Sequence, residues 1–195
     1  PSAPEPVDIP GGGTVIHAML YRPEGAGPFP AVVALHGCAG LNHTTGGVAG
    51  RYSDWAQVLL KAGFAVLYPD SYGSRGLGAQ CTVRNRRIRT ERERVADANA
   101  ARHWLQAQSY IQSDRISLLG WSNGAITTLW AARPQARRQD GMSDFHAAVA
   151  FYPGCAGSLR RGDGWLPSTP LRVHTGELDD WTPSPPCVAL GDAAR

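Results

Sequence analysis

Long apolar runs are what this chain most lacks. No hydrophobic stretch in its 195 residues approaches the ~20 residues needed to cross a bilayer as a helix, so a soluble chain with no membrane partner is expected. Lysine is almost missing too. Lys61 is the single lysine, arginine supplies the rest of the 19 basic residues, and the formal net charge is only +3. There is no basic stripe with a matching recognition motif, which argues against a nucleic-acid partner. The cysteines and histidines show neither CxxC nor HExxH spacing, so neither a metal site nor a cofactor is expected. An initiating Met and a signal-peptide core are absent as well. The opening Pro1-Ser2-Ala3-Pro4-Glu5-Pro6 reads as part of a flexible leader over residues 1–13, either a linker or the remnant of an export signal. A cytoplasmic and an exported location both stay open.

What is present suffices for a core. With 43% hydrophobic residues, the remaining 14–195 are expected to form one globular domain, and no internal repeat or second boundary is visible. Strand-like and helix-like segments alternate. Thr14 to Tyr21 has the β-branched, alternating character of a strand, and Ala31 to Leu35 is a short continuous apolar run, as a strand buried on both faces should be. Ser53 is positioned to cap a helix whose apolar face is Trp55, Val58, Leu59 and Ala62, stopped by Gly63. Phe64 to Tyr68 is a second buried strand. The loop from Pro69 to Thr90 is long, and loops of that length in compact domains usually carry function.

A helix follows from about Glu91 to Gln108, with Val95, Ala98, Ala101, Trp104 and Leu105 apolar. The arginine-rich run from Arg84 to Arg94 leads into it. That run reads as a solvated approach with mixed-sign pairs, the competing role being an anion site for a substrate carboxylate. Ile116 to Leu119, Ala147 to Tyr152 and Leu171 to Thr175 complete the strands, and 135–144 reads as a polar loop. The alternation predicts a mainly parallel sheet flanked by helices.

Gly120-Trp121-Ser122-Asn123-Gly124 stands between the strand at Ile116 and a helix-like run beginning at Ala125. A G-x-S-x-G pentapeptide there reads as a nucleophile elbow, in which small glycines let strand and helix close up and a strained serine projects its hydroxyl. The competing reading is a turn with a helix N-cap. Context favours the elbow. The loop His36 to Gly40, Asp70, Ser122 and the stretch Gly176 to Asp180 all fall at carboxyl ends of strands, where open α/β sheets hold their active sites. Asp70 itself reads as a turn residue, since a serine nucleophile needs one acid only.

At these residues the chain resembles an α/β-hydrolase of the dienelactone hydrolase family. The likeness is carried by an apolar strand ending in His36-Gly37-Cys38-Ala39-Gly40-Leu41-Asn42, the Tyr68-Pro69-Asp70 loop, the Gly120 to Gly124 elbow, the Phe151-Tyr152-Pro153 strand end and a Gly-x-x-Asp-x-x-x-Pro turn. It implies a serine hydrolase acting on a small-molecule carboxylic ester or lactone. Ser122 would be the nucleophile, Asp179 the acid with Asp180 as fallback, and the backbone N–H groups of Cys38 and Asn123 the oxyanion donors. Both donors act through the backbone, so their side chains are expected to be free to vary. Two departures stand out. The better-known members carry cysteine where this chain has Ser122. In addition, all six histidines, His17, His36, His43, His103, His146 and His174, precede Asp179, whereas the fold orders its triad serine, acid, histidine. The chain is therefore expected to be C-terminally truncated, lacking the last strand and helix and the general-base histidine, and to be weakly active or inactive as it stands.

His36 reads as a loop-shaping hydrogen bonder, His174 as a core or turn residue, Trp121 as a pocket wall or simple packing, and Asp179 alternatively as an Asx-turn residue. Two further function classes compete: a peptidase on the same fold, and a binding protein that uses the pocket without a triad. A histidine downstream of the acid would separate catalysis from mere binding. The four cysteines permit two disulfides. Cys38 and Cys81 follow strands expected to be neighbours, while Cys155 and Cys187 follow the Phe151 strand and the Asp179 turn. Those pairs are expected, against the alternative of four reduced buried thiols.

Overall fold

The computed structural model describes residues 3–11, 13–42, 47–134, 143–160 and 165–194. Seven strands form one sheet in the order β1-β2-β4-β3-β5-β6-β7. The strands are β1 (Glu5–Gly11), β2 (Thr14–Tyr21), β3 (Phe29–Leu35), β4 (Ala65–Pro69), β5 (Ile111–Trp121), β6 (Ala148–Phe151) and β7 (Leu171–His174). The run from β4 through β3, β5 and β6 to β7 is parallel, while the β1–β2 and β2–β4 pairings are antiparallel, so β2 alone runs against the other strands. The predicted α/β sheet is thus present. It is what short apolar runs separated by helices must build, because parallel strands need crossovers that cover both faces.

Alternation along β3 divides the core. Val33 and Leu35 point to the face covered by α2 (Glu93–Gln106), meeting Ala98, Ala101 and Leu105, while Val32 and Ala34 point to the face of α1 (Gly50–Lys61). On that second face Tyr52, Tyr68, Trp121 and Phe151 form a run of ring contacts with centroids 5.3–6.3 Å apart. Trp121, which sequence left between pocket wall and packing, belongs to this run and is buried. A third cluster joins α3 (Asn123–Ala131) to Trp165 and to α5 (Pro185–Ala193) through Ala125, Leu129 and Leu190. A short helix, α4 (Ala156–Leu159), lies between β6 and β7.

Three expectations need correction. Residues 5–11, assigned to a flexible leader, form β1, which pairs with β2 from Glu5↔Leu20 to Gly11↔Thr14. Ile9 is fully buried and Val7 packs on the core, so apolar alternation outweighs the prolines, which an edge strand tolerates because it can spare backbone donors. Helix α1 starts a turn earlier than Ser53. Ser53 lies inside it, with its hydroxyl donating to the Gly50 carbonyl at 2.9 Å, and the buried face is Tyr52 and Ala56 while Val58 is exposed. The C-terminal stop stands, since Gly63 has φ 85°. Third, the Arg84 to Arg94 run is not uniformly solvated: Arg94 is fully buried. Most of the 135–144 loop lies outside the described residues.

Both expected disulfides are present, Cys38–Cys81 and Cys155–Cys187. The first ties the loop after β3 to the long loop after β4, and the Gln80 N–H reinforces it by donating to the Cys38 carbonyl at 2.7 Å. The long loop is held at its base as well: Arg75 forms a two-pronged pair with buried Asp97 of α2, both bonds 2.8 Å.

Candidate active site

Ser122 sits between β5 and α3 with φ 53° and ψ −115°, one of two non-glycine residues at positive φ among those described. The conformation is held from both sides. Its N–H donates to the Phe151 carbonyl at 3.0 Å, and its carbonyl accepts from the Ile126 N–H at 2.9 Å. Two glycines make the junction possible. A Cβ on Gly120 would lie 2.4 Å from the Gly124 carbonyl oxygen, and one on Gly124 only 2.1 Å from that of Leu35. Strand and helix therefore approach as closely as backbone permits. The Ser122 side chain is half-exposed, and its hydroxyl has no hydrogen bond to another described residue.

Asn123 is the first residue of α3, so its N–H has no partner within the helix and points out of the N-terminus. On the other side, Gly37 comes close enough that a Cβ on it would lie 3.7 Å from Ser122 Cβ and 3.5 Å from the Tyr52 hydroxyl. The Gly37 N–H is taken, donating to Tyr52 Oη at 2.8 Å. The next N–H, that of Cys38, donates to no acceptor among the described residues. Two unpartnered N–H groups thus flank the serine, on the residues the sequence named.

The side chains of those two residues are not free, contrary to expectation. Cys38 is in a disulfide, and the Asn123 side chain is buried, its Oδ1 accepting from Arg94 Nη1 at 2.5 Å and Tyr72 Oη at 2.8 Å. Arg94 Nη2 donates at 2.8 Å to the carbonyl of His36. Sequence reasoning missed Arg94, Tyr52 and Tyr72. A signal for Arg94 existed: it occupies the same helical stripe as Ala98, Ala101 and Leu105.

His36 shapes its loop, as expected. It is fully buried, with Nδ1 2.8 Å from the Gly37 carbonyl oxygen and Nε2 3.6 Å from Asp70 Oδ1. Burial, then the Arg94 charge, hold its pKa well below 6.5, the Gly37 carbonyl opposing, so the ring is neutral. Asp70 does the work of a turn residue, accepting from the N–H groups of Tyr72 and Gly73. It is also buried, and the Asn42 side chain reaches it at 3.3 Å.

Asp179 lies beyond the carboxyl end of β7. Its Oδ1 accepts from the N–H groups of Trp181 and Thr182 at 3.0 and 2.9 Å, and its Oδ2 from the Thr182 hydroxyl at 2.6 Å. The Thr182 hydroxyl and N–H hold its carboxyl below the usual value of 3.8. This is an Asx turn that also keeps the group anionic. Asp180 is exposed and makes no such contacts. Of the histidines, His174 ends β7 and stacks on Phe151 at 5.1 Å, and His17 pairs with Asp8 at 2.7 Å across β1 and β2. His43 lies outside the described residues. None of those described makes a hydrogen bond to Ser122 or Asp179.

A parallel sheet with this strand order and a strained serine at the β5–α3 junction defines an α/β-hydrolase. The model of the prolyl oligopeptidase family matches residues 51–155, more than half of the chain, and the chain belongs to that family. Within it, the relatives point to the dienelactone hydrolase type. The chain is 28% identical over 191 residues to a protein of Bradyrhizobium sp. named "Probable 2-oxo-3-(5-oxofuran-2-ylidene)propanoate lactonase", covering 91% of this chain and 71% of that one. Its fold matches a dienelactone hydrolase-like promiscuous phosphotriesterase from metagenomic libraries with a TM-score of 0.77 at 22% identity, over 98% of this chain and 75% of that one. It matches Pyrococcus horikoshii acylaminoacyl peptidase with a TM-score of 0.72 at 18% identity, over 97% of this chain. The chain spans only 34% of that peptidase.

Proposed function

We propose that Ser122 is the nucleophile of a hydrolase that cleaves a carboxylic ester or lactone through an acyl-enzyme. One observation carries this reading: a serine held at positive φ between β5 and α3, flanked by the unpartnered N–H groups of Asn123 and Cys38. Ser122 Oγ gives its proton to a general base and bonds to the carbonyl carbon. The carbonyl π pair moves to oxygen, and the two N–H groups stabilise the resulting anion. Collapse breaks the bond to the alcohol oxygen, which takes up the proton, and water repeats the sequence to release the acid. A lactone would give a hydroxy acid in one piece. Asp179 would hold the base, a histidine, in the productive orientation and stabilise its cation, a role that suits a carboxylate held below its usual pKa by the Thr182 hydroxyl and N–H.

The Bradyrhizobium relative named as a lactonase supports the ester or lactone class. The family match supports a second reading, a peptidase. One experiment separates them. The protein at its natural length is treated with a fluorophosphonate probe, then assayed on p-nitrophenyl acetate, a γ-lactone and a peptide p-nitroanilide. Labelling that Ser122→Ala abolishes, with turnover of the ester and lactone but not the anilide, is expected. Anilide turnover establishes the peptidase, and equal labelling of Ser122→Ala overturns the nucleophile. Asp179→Asn should lower kcat about 10⁴-fold while Asp180→Asn changes it less than about twofold. The reverse order would move the acid to Asp180.

A further inference from the structure

Arg94 is a fully buried cation that the proposed chemistry leaves unused. It makes no ion pair among the described residues, and its Nε has no hydrogen-bond partner. Asp97, the carboxylate one turn along α2, is already committed to Arg75 at 2.8 Å through both oxygens. Burying a guanidinium without a neutralising partner is expensive, and such a group is retained when its field or its geometry serves something nearby.

What lies nearby is specific. One terminal nitrogen of Arg94 holds the side chain of Asn123, and the other holds the main-chain carbonyl of His36. Asn123 carries one proposed oxyanion donor. His36 begins the segment His36-Gly37-Cys38 that carries the other. The two segments belong to different elements, α3 and the loop after β3, and no other described side chain hydrogen-bonds to both. The Tyr72 ring lies 5.1 Å from the guanidinium carbon, and its hydroxyl shares Asn123 Oδ1 with Arg94.

We propose that Arg94 is a positioning residue for oxyanion stabilisation: its guanidinium fastens together the two backbone segments that carry the donors and sets behind them a positive charge that forms no ion pair among the described residues. This rests on the Ser122 reading above. Both effects favour the anionic tetrahedral state over the neutral ester, so they act on kcat rather than on ground-state binding. The geometry also explains why Asn123 is buried and twice hydrogen-bonded although the reaction asks only for its N–H.

The test uses the natural-length protein and the variants Arg94→Met, Arg94→Lys and Asn123→Asp, with Ser122→Ala as control. Asn123→Asp keeps the size of the side chain and places a carboxylate against Arg94, cancelling its charge. Measured are kcat and KM on p-nitrophenyl acetate, thermal unfolding, and the Ki of a trifluoromethyl ketone. Ser122 adds to that ketone to give a tetrahedral oxyanion, the hydroxyl proton passing to the base. Arg94→Met and Asn123→Asp should each lower kcat roughly 10- to 100-fold, leave KM within about twofold and raise Ki by the same factor as kcat falls. Arg94→Lys, which keeps charge but loses the fork, should fall between them and the parent. Folded variants with parental kcat and Ki overturn the proposal, as does a fall in kcat with Ki unchanged. If Arg94→Met does not fold, Asn123→Asp decides alone. Should Ser122→Ala match the parent, the nucleophile reading fails and takes this proposal with it. An inactive Ser122→Ala beside a fully active Arg94→Met sinks only the role of Arg94.

Discussion

The two halves of the proposed site are built differently. Around Ser122 the groups are held from several elements: the serine by β6 and α3, Asn123 by α2 and the loop after β4, and Gly37 by α1. Around Asp179 the carboxylate is held, among the described residues, by its own turn alone, through Trp181 and Thr182, with Leu178 and Trp181 open to solvent. Electrostatic preorganisation needs dipoles that do not move when charge develops, and that requires burial and cross-bracing. An acid that orients another side chain needs only to stay ionised. The contrast therefore follows the division of labour that the proposed mechanism assigns to the two halves.

Glycine substitution should show the difference at its largest. Gly124→Ala forces a methyl onto the Leu35 carbonyl at 2.1 Å, where only backbone can give way, and should cost at least about 4 kcal/mol. Gly176→Ala meets nothing nearer than Asp179 Cβ at 3.6 Å, an ordinary contact, and should change stability by less than about 0.5 kcal/mol. Urea denaturation of both variants compares them. Similar losses would show that the Ser122 side is no more tightly packed than the Asp179 side.

Each half also carries one disulfide, which gives a sharper comparison. The Cys38–Cys81 and Cys155–Cys187 pairs close loops of 43 and 32 residues, so replacing either pair by alanine should cost about 3 to 4 kcal/mol in the chain-entropy model. Function should split them. Loss of the first frees the loop bearing the Cys38 donor and should slow fluorophosphonate labelling of the folded protein, while loss of the second should leave the labelling rate near parental. Equal slowing would mean that the first disulfide acts on stability alone.

Titration separates the halves by pH window. His36 is held neutral in the fold, with its pKa depressed below 6.5, so the unfolded chain binds a proton there that the folded one does not. Stability from this group is complete above about pH 6.5 and is lost as pH falls, with a slope approaching about 1.4 kcal/mol per pH unit. Asp179 is also depressed, from 3.8, so its contribution stays complete until pH falls below that value and is lost as pH drops through the folded value. Unfolding free energy measured from pH 7 to 3 should decline in the upper window, and His36→Asn should flatten it there. An unchanged slope in that variant would assign the decline elsewhere.

How far the sequence could be read follows the same division. The sheet, the tight strand-to-helix junction at Ser122 and both disulfides were legible because each rests on a local pattern: apolar runs, glycine spacing, and cysteines placed after identifiable strands. Strand β1 was not, since its prolines and the glycines after it mimic a linker, and only pairing with β2 buries Ile9. The start of α1 was missed because Ser53 looks like a cap, whereas the burial of Tyr52 and Ala56 sets the helix phase. The bracing of the two segments that flank Ser122 was hidden more deeply. It joins residues 36, 94 and 123, and no short-range pattern reports a contact across such separations.

The arginine run shows this within a single stretch of chain. Arg89 and Arg94 stand five residues apart in the same mixed-charge sequence, yet Arg89 is half-buried and faces Glu91 and Glu93 at 4.0 and 3.8 Å, while Arg94 is sealed beneath Asn123. Burial is the largest single influence on Glu93 and pushes its carboxyl up, but the Arg89 N–H, its own N–H and the charges of Arg89 and Arg92 together outweigh it and hold the group below its usual 4.5. A partly exposed pair of this kind spends most of its attraction on solvent screening and side-chain entropy. Arg89→Ala, which keeps the backbone N–H bond to Glu93, should therefore lower stability by less than about 0.5 kcal/mol and leave kcat unchanged. Added salt should erase what difference remains. A loss above about 1 kcal/mol that survives high salt would show that the surface end of the run is coupled to Arg94, and that the bracing of the Ser122 side extends to the solvent.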